Sequence, residues 1–256
     1  DNGDSSGKCS PSCDDPAAFL IFSTKYNTYE LTAGWAYDTR NRSLFANRGS
    51  RHTLGLSATI PGSEVEFAYA NYRYTQYVPF TRYFTFALNG NLGYGQAFGS
   101  TTAIPPYKNF FAGGPNTVRG YRESSLGPLD SLNNPYGGNM LVAGSAEMIL
   151  PIPAKWQSRS RFTLFFDIGN VFSTEDITWY DAGGTAGNQL PDGFYDFDFD
   201  KLRQSVGLAA EWLSPMGLFK FSYGVPLNEF EGGNFDGIRL LPDETENFQF
   251  TIGGAF

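Results

Sequence analysis

The sequence predicts an all-β protein, an antiparallel transmembrane β-barrel of about nine strands. Three observations lead there. The 256 residues include 24 Phe and 15 Tyr, yet mean hydropathy is slightly negative, at −0.30. Segment after segment alternates apolar with polar residues at a period of two. The connections between those segments alternate between short and long. A membrane barrel reconciles aromatic content with low hydropathy, because its strands send apolar side chains out to lipid and polar ones inward. No run of roughly 18 apolar residues occurs, so no transmembrane helix is expected. Thirty Gly and fifteen Pro suit many turns and closely spaced strands.

The first strand is expected near 27–39, with Tyr29, Leu31, Ala33, Trp35 and Tyr37 on one face. The second lies near 51–60, with Leu54, Leu56, Ala58 and Ile60 outward, and the third near 64–77. The fourth lies near 82–95, where Phe84, Phe86, Leu88, Leu92 and Tyr94 share a side. A long Gly-, Pro- and Asn-rich segment, 96–137, precedes strands near 138–150 and 160–172. A second long polar segment, 173–200, leads to strands near 201–213 and 217–226. The ninth strand, Phe248 to Phe256, alternates most clearly. Phe248, Phe250, Ile252, Gly254 and Phe256 suit lipid; Gln249, Thr251, Gly253 and Ala255 suit a polar interior. Gly253 and Gly254 lie inside that strand and weaken it.

Connections at 79–81, 151–158 and 214–217 are short, and those at 96–137, 173–200 and 227–244 are long. Short turns on one rim and long loops on the other fit periplasmic and extracellular sides. The first and ninth strands run the same way, so nine strands alone would close on a parallel seam. Single-chain bacterial barrels have even strand numbers. The chain is therefore expected to be the C-terminal part of a larger barrel, of roughly sixteen strands. Residues 1–26 carry no initiator Met or signal peptide and read as an extracellular loop remnant after removal of an upstream part. Cys9 and Cys13, four apart among Pro, Ser and Asp, are expected to close a small disulfide loop.

The net charge of −8 and scattered Lys and Arg argue against nucleic-acid binding. The one histidine, His52, starts the second strand and reads as an interfacial residue rather than a catalytic base. An enzyme would need a nucleophile or water activated by a positioned base, which the sequence does not offer. No metal or cofactor pattern is recognised. The run Asp192-Gly193-Phe194-Tyr195-Asp196-Phe197-Asp198-Phe199-Asp200 alternates acid and aromatic. It is expected to extend a strand above the membrane, carboxylates in water, with a divalent-cation site bridging lipopolysaccharide as the minor reading.

Phe111-Ala112-Gly113-Gly114-Pro115-Asn116-Thr117-Val118-Arg119-Gly120-Tyr121 resembles the inward-folded loop of the BamA family, with its Val-Arg-Gly-Phe/Tyr tetrad. Phe165 to Phe172 is similar to that family's Asp-x-Gly-x-Val strand, Trp212 to Gly217 to its late hairpin, and Phe248 to Phe256 to its C-terminal β-signal. The four segments occur in the family's order, and the likeness covers residues 27–256. The resemblance implies that 96–137 folds into the lumen. Gly113, Gly114 and Gly120 permit the sharp bends such a loop needs.

An arginine inside a barrel needs carboxylate partners, because an unpaired buried charge is costly. Strand parity puts Glu147 on one face with Ala143 and Ser145, and Asp167 with Thr163 and Gly169. Both carboxylates are expected to meet Arg119, whose forked guanidinium can hold two at once. The resemblance implies the same contact. It further implies an insertase for other barrel proteins in the bacterial outer membrane. Its partners would be unfolded barrel clients, accessory lipoproteins, lipid and lipopolysaccharide. The closing strand, Phe248, Phe250, Ile252, Gly253, Gly254 and Phe256, would offer its edge to a client. A polypeptide-conducting pore of the same superfamily is the alternative, and an outer-membrane enzyme a remote one.

Overall fold

Runs that alternate at period two become strands, and tight turns join them into neighbours. The computed structural model describes residues 27–101, 103–130, 133–153, 155–174, 190–235 and 238–253. Nine strands form one sheet, in chain order and antiparallel throughout. They are β1 (Glu30–Asp38), β2 (Gly49–Thr59), β3 (Phe67–Pro79), β4 (Thr85–Ala97), β5 (Met140–Ile149), β6 (Ser160–Phe172), β7 (Arg203–Ser214), β8 (Gly217–Asn228) and β9 (Phe248–Gly253). All nine overlap the expected segments. Most run 9 to 13 residues, the length that a tilted strand needs to cross a bilayer. Among the described residues β1 pairs only with β2 and β9 only with β8, so the sheet is open along both edges.

Register carries one face across the whole sheet. Trp35 faces Leu54, which faces Tyr72, which faces Leu92. Leu92 faces Val142 on β5. Farther on, Leu164 faces Leu208, Leu208 faces Tyr223, and Tyr223 faces Phe248. These side chains are half-buried to exposed and form a continuous apolar belt, with Leu208 at 54%. A face of that extent in water would drive association, whereas lipid accommodates it. No helix among the described residues is long and apolar enough to cross a membrane, and the strands supply the crossing instead.

The concave face holds the core. Phe110 and the buried Ala112, Val118, Tyr121 and Leu126, all from the long segment after β4, pack on Leu141, Ala143 and Val171 of β5 and β6. Val65, Phe67 and Ile104 form a second cluster where that segment begins. The β1–β2 turn also bends inward, because the Arg161 Nη2 on β6 donates to the Ala46 carbonyl at 2.6 Å.

Two expectations need correction. Asp192 to Asp200 forms turns and a short 3-10 helix, Phe199–Lys201, not a strand extension. Pro191 and Gly193, the latter at φ +71°, break the extended path. Lys201 Nζ then gathers the carbonyls of Gly193, Phe194 and Asp196. Phe194 packs on Phe230 and Phe235, and Phe197 on Phe172, while Phe199 stays exposed. Burial there pushes the Tyr195 phenol up to about 12. The segment 227–244 is not a plain loop; Gly233–Phe235 and Ile238–Leu240 pair as a small ladder. Cys9, Cys13, Gly254 and Phe256 lie outside the described residues.

A charge in the apolar belt tests its setting. Leu208→Arg, at mid-strand, should lower the unfolding free energy in lipid vesicles by about 2–4 kcal/mol. Denaturant titration from vesicles measures this, and an unchanged midpoint would refute a lipid-facing position.

Candidate functional site

The sequence signal that matters most is a short Gly-rich stretch between two long strands. Gly113 and Gly114 take φ of +99° and +91°, which side chains with a Cβ rarely adopt. The bend is held by the Gly114 amide, which donates to the Val118 and Tyr121 carbonyls at 3.1 and 3.0 Å. The Thr117 hydroxyl adds a bond to the Gly113 carbonyl at 2.9 Å. The tip formed by Val118, Arg119, Gly120 and Tyr121 therefore leaves the turn already shaped. It lies against β5, β6, β7, β8 and β9 on the concave face.

Arg119 meets both carboxylates. Its Nε and Nη2 donate to the two oxygens of Asp167, each at 2.7 Å. Its Nη2 also lies 2.8 Å from Glu147 Oε1 and donates to the Ser145 hydroxyl at 3.0 Å. The Arg119 backbone amide donates to Asp167 Oδ2 at 3.1 Å. Asp167 is fully buried and the arginine side chain only 11% exposed. Charges removed from water in this way hold only if each is paired and hydrogen-bonded. The Phe165 ring lies beneath the guanidinium, 3.6 Å from centroid to Cζ. That is cation–π range on a face shielded from water. Gly207 on β7 leaves room for the ring, since a Cβ there would lie 2.6 Å from its edge.

The remaining tetrad residues lock the tip in place. Val118 is wholly buried in the core cluster. Gly120, at φ +91°, sits on Gly224 of β8 so closely that a Cβ on Gly224 would lie 2.8 Å from the Gly120 nitrogen. The Tyr121 hydroxyl donates to the Gln204 carbonyl at 3.2 Å and to the Asn228 carbonyl. Gln204 sits at a register irregularity between β7 and β8, where a carbonyl is released from the ladder. Burial pushes the Tyr121 phenol up to about 12, so it remains a neutral donor.

A second anchor holds the start of the loop. Lys108 Nζ lies 2.8 Å from Glu30 Oε2 on β1, above the Phe67 and Tyr69 rings at 5.4 Å. The loop thus reaches from β1 to β9. Phe248, Phe250 and Ile252 of the closing strand are exposed on the outer face, and Gly253 pairs with Leu218. His52 lies on that outer face among Trp35, Tyr37, Tyr72 and Tyr74, and its Nδ1 is 2.8 Å from the Tyr72 hydroxyl.

Sequence reasoning named neither Ser145 nor Phe165 as partners, although both share the lumenal parity of Glu147 and Asp167. Parity also put Gln249 inward, without revealing that it reaches the loop. The Lys108–Glu30 pair joins positions 78 apart and leaves no local signal.

Arg119→Ala should weaken loop docking by about 3–5 kcal/mol, because it leaves Asp167 buried and unpaired. Limited proteolysis of 96–137 checks this, and wild-type resistance would refute it. Lys108→Ala removes a partly exposed pair and should cost no more than about 1 kcal/mol in the same assay.

Residues 12–256 match the Omp85 superfamily domain. The chain is 33% identical over 242 residues to the outer membrane protein assembly factor BamA of Neisseria meningitidis serogroup B. It is 25% identical over 178 residues to the sorting assembly machinery 50 kDa subunit of Saccharomyces cerevisiae. Those matches cover 89% and 68% of this chain, but only 29% and 32% of the relatives, so the chain spans about a third of their length. The crystal structure of BamA from Haemophilus ducreyi lacking POTRA domains 1-3 superposes with a TM-score of 0.70. That structure is 30% identical, over 88% of this chain and 42% of its own.

Proposed function

The chain belongs to the Omp85 superfamily, and from that premise we propose that it is the C-terminal barrel part of a factor that inserts β-barrel proteins into the bacterial outer membrane. The observation that carries this reading is the closing strand. β9 pairs with β8 along one edge and carries Gly253, a strand-weakening residue, beside an apolar belt, so a seam along its other edge is loosely held. Such an edge is a template on which another chain can add a strand. The incoming strand gains main-chain hydrogen bonds from β9 and lipid contact for its apolar side chains. No nucleotide, metal or covalent intermediate enters the scheme.

The docked loop has the complementary task of keeping the wall behind that edge in shape. Its ion pairs and core contacts tie β5, β6, β7 and β8 together on the concave side. Clients would be unfolded barrel proteins, which expose the apolar alternation that the edge selects. Accessory lipoproteins, lipid and lipopolysaccharide complete the partner set. The homologues' names as assembly factors support the reading, and a BamA barrel supports the placement of its strands.

The full-length protein in liposomes should accelerate folding of a client barrel, followed by its heat-modifiable gel mobility. Arg119→Ala, which costs loop docking about 3–5 kcal/mol, should lower that acceleration by at least about ten-fold. A client that folds equally fast in empty liposomes would refute the function.

A further inference from the structure

We propose that the tip of the inward loop is a latch on the closing strand, with Gln249 as its joint; the proposal rests on the insertase reading above. Among the described residues β9 is laddered to β8 alone, with Gly253 inside the strand. The loop tip adds a second hold from the lumen. Gly120–Tyr121 pairs antiparallel with Thr245–Glu246, the residues that lead into β9. The Arg122 amide donates to the Glu244 carbonyl at 2.8 Å, and the Arg122 side chain pairs with the Glu244 carboxylate. Within β9 itself, Gln249 Nε2 donates to the Tyr121 carbonyl at 2.7 Å.

The geometry makes Gln249 the residue through which strand and loop feel each other. It is 4% exposed and faces the lumen opposite the buried Ser222 of β8. A carbonyl only accepts, so the side-chain nitrogen must be the atom that meets Tyr121. The other amide atom, Oε1, is buried and has no hydrogen-bond partner among the described residues. A half-satisfied buried amide is costly, so the side chain contributes to the native state chiefly through its one bond to the loop. Next to it, Asn247 and Gly224 exchange hydrogen bonds at 2.8 and 2.9 Å, and Gly224 is the backbone on which Gly120 rests. The loop tip therefore touches β8 and β9 at the point where they join.

Peeling β9 from β8 at this end requires breaking the Tyr121 contacts, and undocking the loop releases β9. Such coupling is reciprocal in free energy. Arg119, which holds the tip on β5 and β6, becomes a remote control on the strand that receives clients, with Gln249 a positioning residue between them.

Hydrogen exchange of the full-length protein in liposomes, without client, tests the latch apart from the insertase reading. Gln249→Met should speed exchange across 248–253 roughly ten-fold, and 111–121, still held by Arg119, by no more than that factor. Gln249→Glu, nearly the same shape but unable to donate as a carboxylate, should do the same. Arg119→Ala should speed both segments, and adding Gln249→Met to it should speed 248–253 no further, because an undocked loop offers nothing to hold. Wild-type exchange of 248–253 in Arg119→Ala or in Gln249→Glu would overturn the latch, as would additive effects in the double variant. A failure of client folding in the separate assay, with these exchange results intact, would remove the insertase reading and leave the latch standing.

Discussion

The rest of the site depends on one buried guanidinium. Arg119 enters a space where water cannot solvate it, and it is tolerated only because Asp167, Glu147, Ser145 and the Phe165 ring surround it. The dependence is mutual, since Asp167 is fully buried on the concave face of β6 and, among the described residues, Arg119 is its charged partner. Loop and wall are therefore stable together and unfavourable apart. This mutual need explains how a loop with little regular structure of its own holds a single position. A forked, planar cation does this better than an ammonium, because it reaches two strands and a ring at once.

From that contact the division of the wall into two chemistries follows. Inside, glycines at 120, 207 and 224 let backbone, ring and loop approach closely, and polar side chains meet one another. Outside, the side chains at alternate positions form an apolar belt that needs lipid. Period-two alternation supplies both faces from the same strands, which is why mean hydropathy stays low in a protein so rich in aromatic residues.

The loop also reaches the outermost strands of the described sheet. β1 is tied to the loop through Glu30 and Lys108, and the approach to β9 through Tyr121, Arg122 and Gln249. One loop spans the concave face and restrains both margins of the described sheet.

Much of this was legible in the amino-acid order. Alternation located nine strands, and parity alone sent Glu147, Asp167 and Gln249 inward, because a strand's side chains can only point to one face or the other. Gly113 and Gly114 marked the bend. The alternating run at 192–200 misled, since Pro191, Gly193 and the long reach of Lys201 outweigh a period-two pattern over so few residues. What the tertiary structure alone decided were contacts between residues far apart in the chain: Phe165 under Arg119, Glu30 on Lys108, and Gln249 on the Tyr121 carbonyl. Those depend on strand register and loop path, which are settled by packing in three dimensions and leave no trace in local spacing.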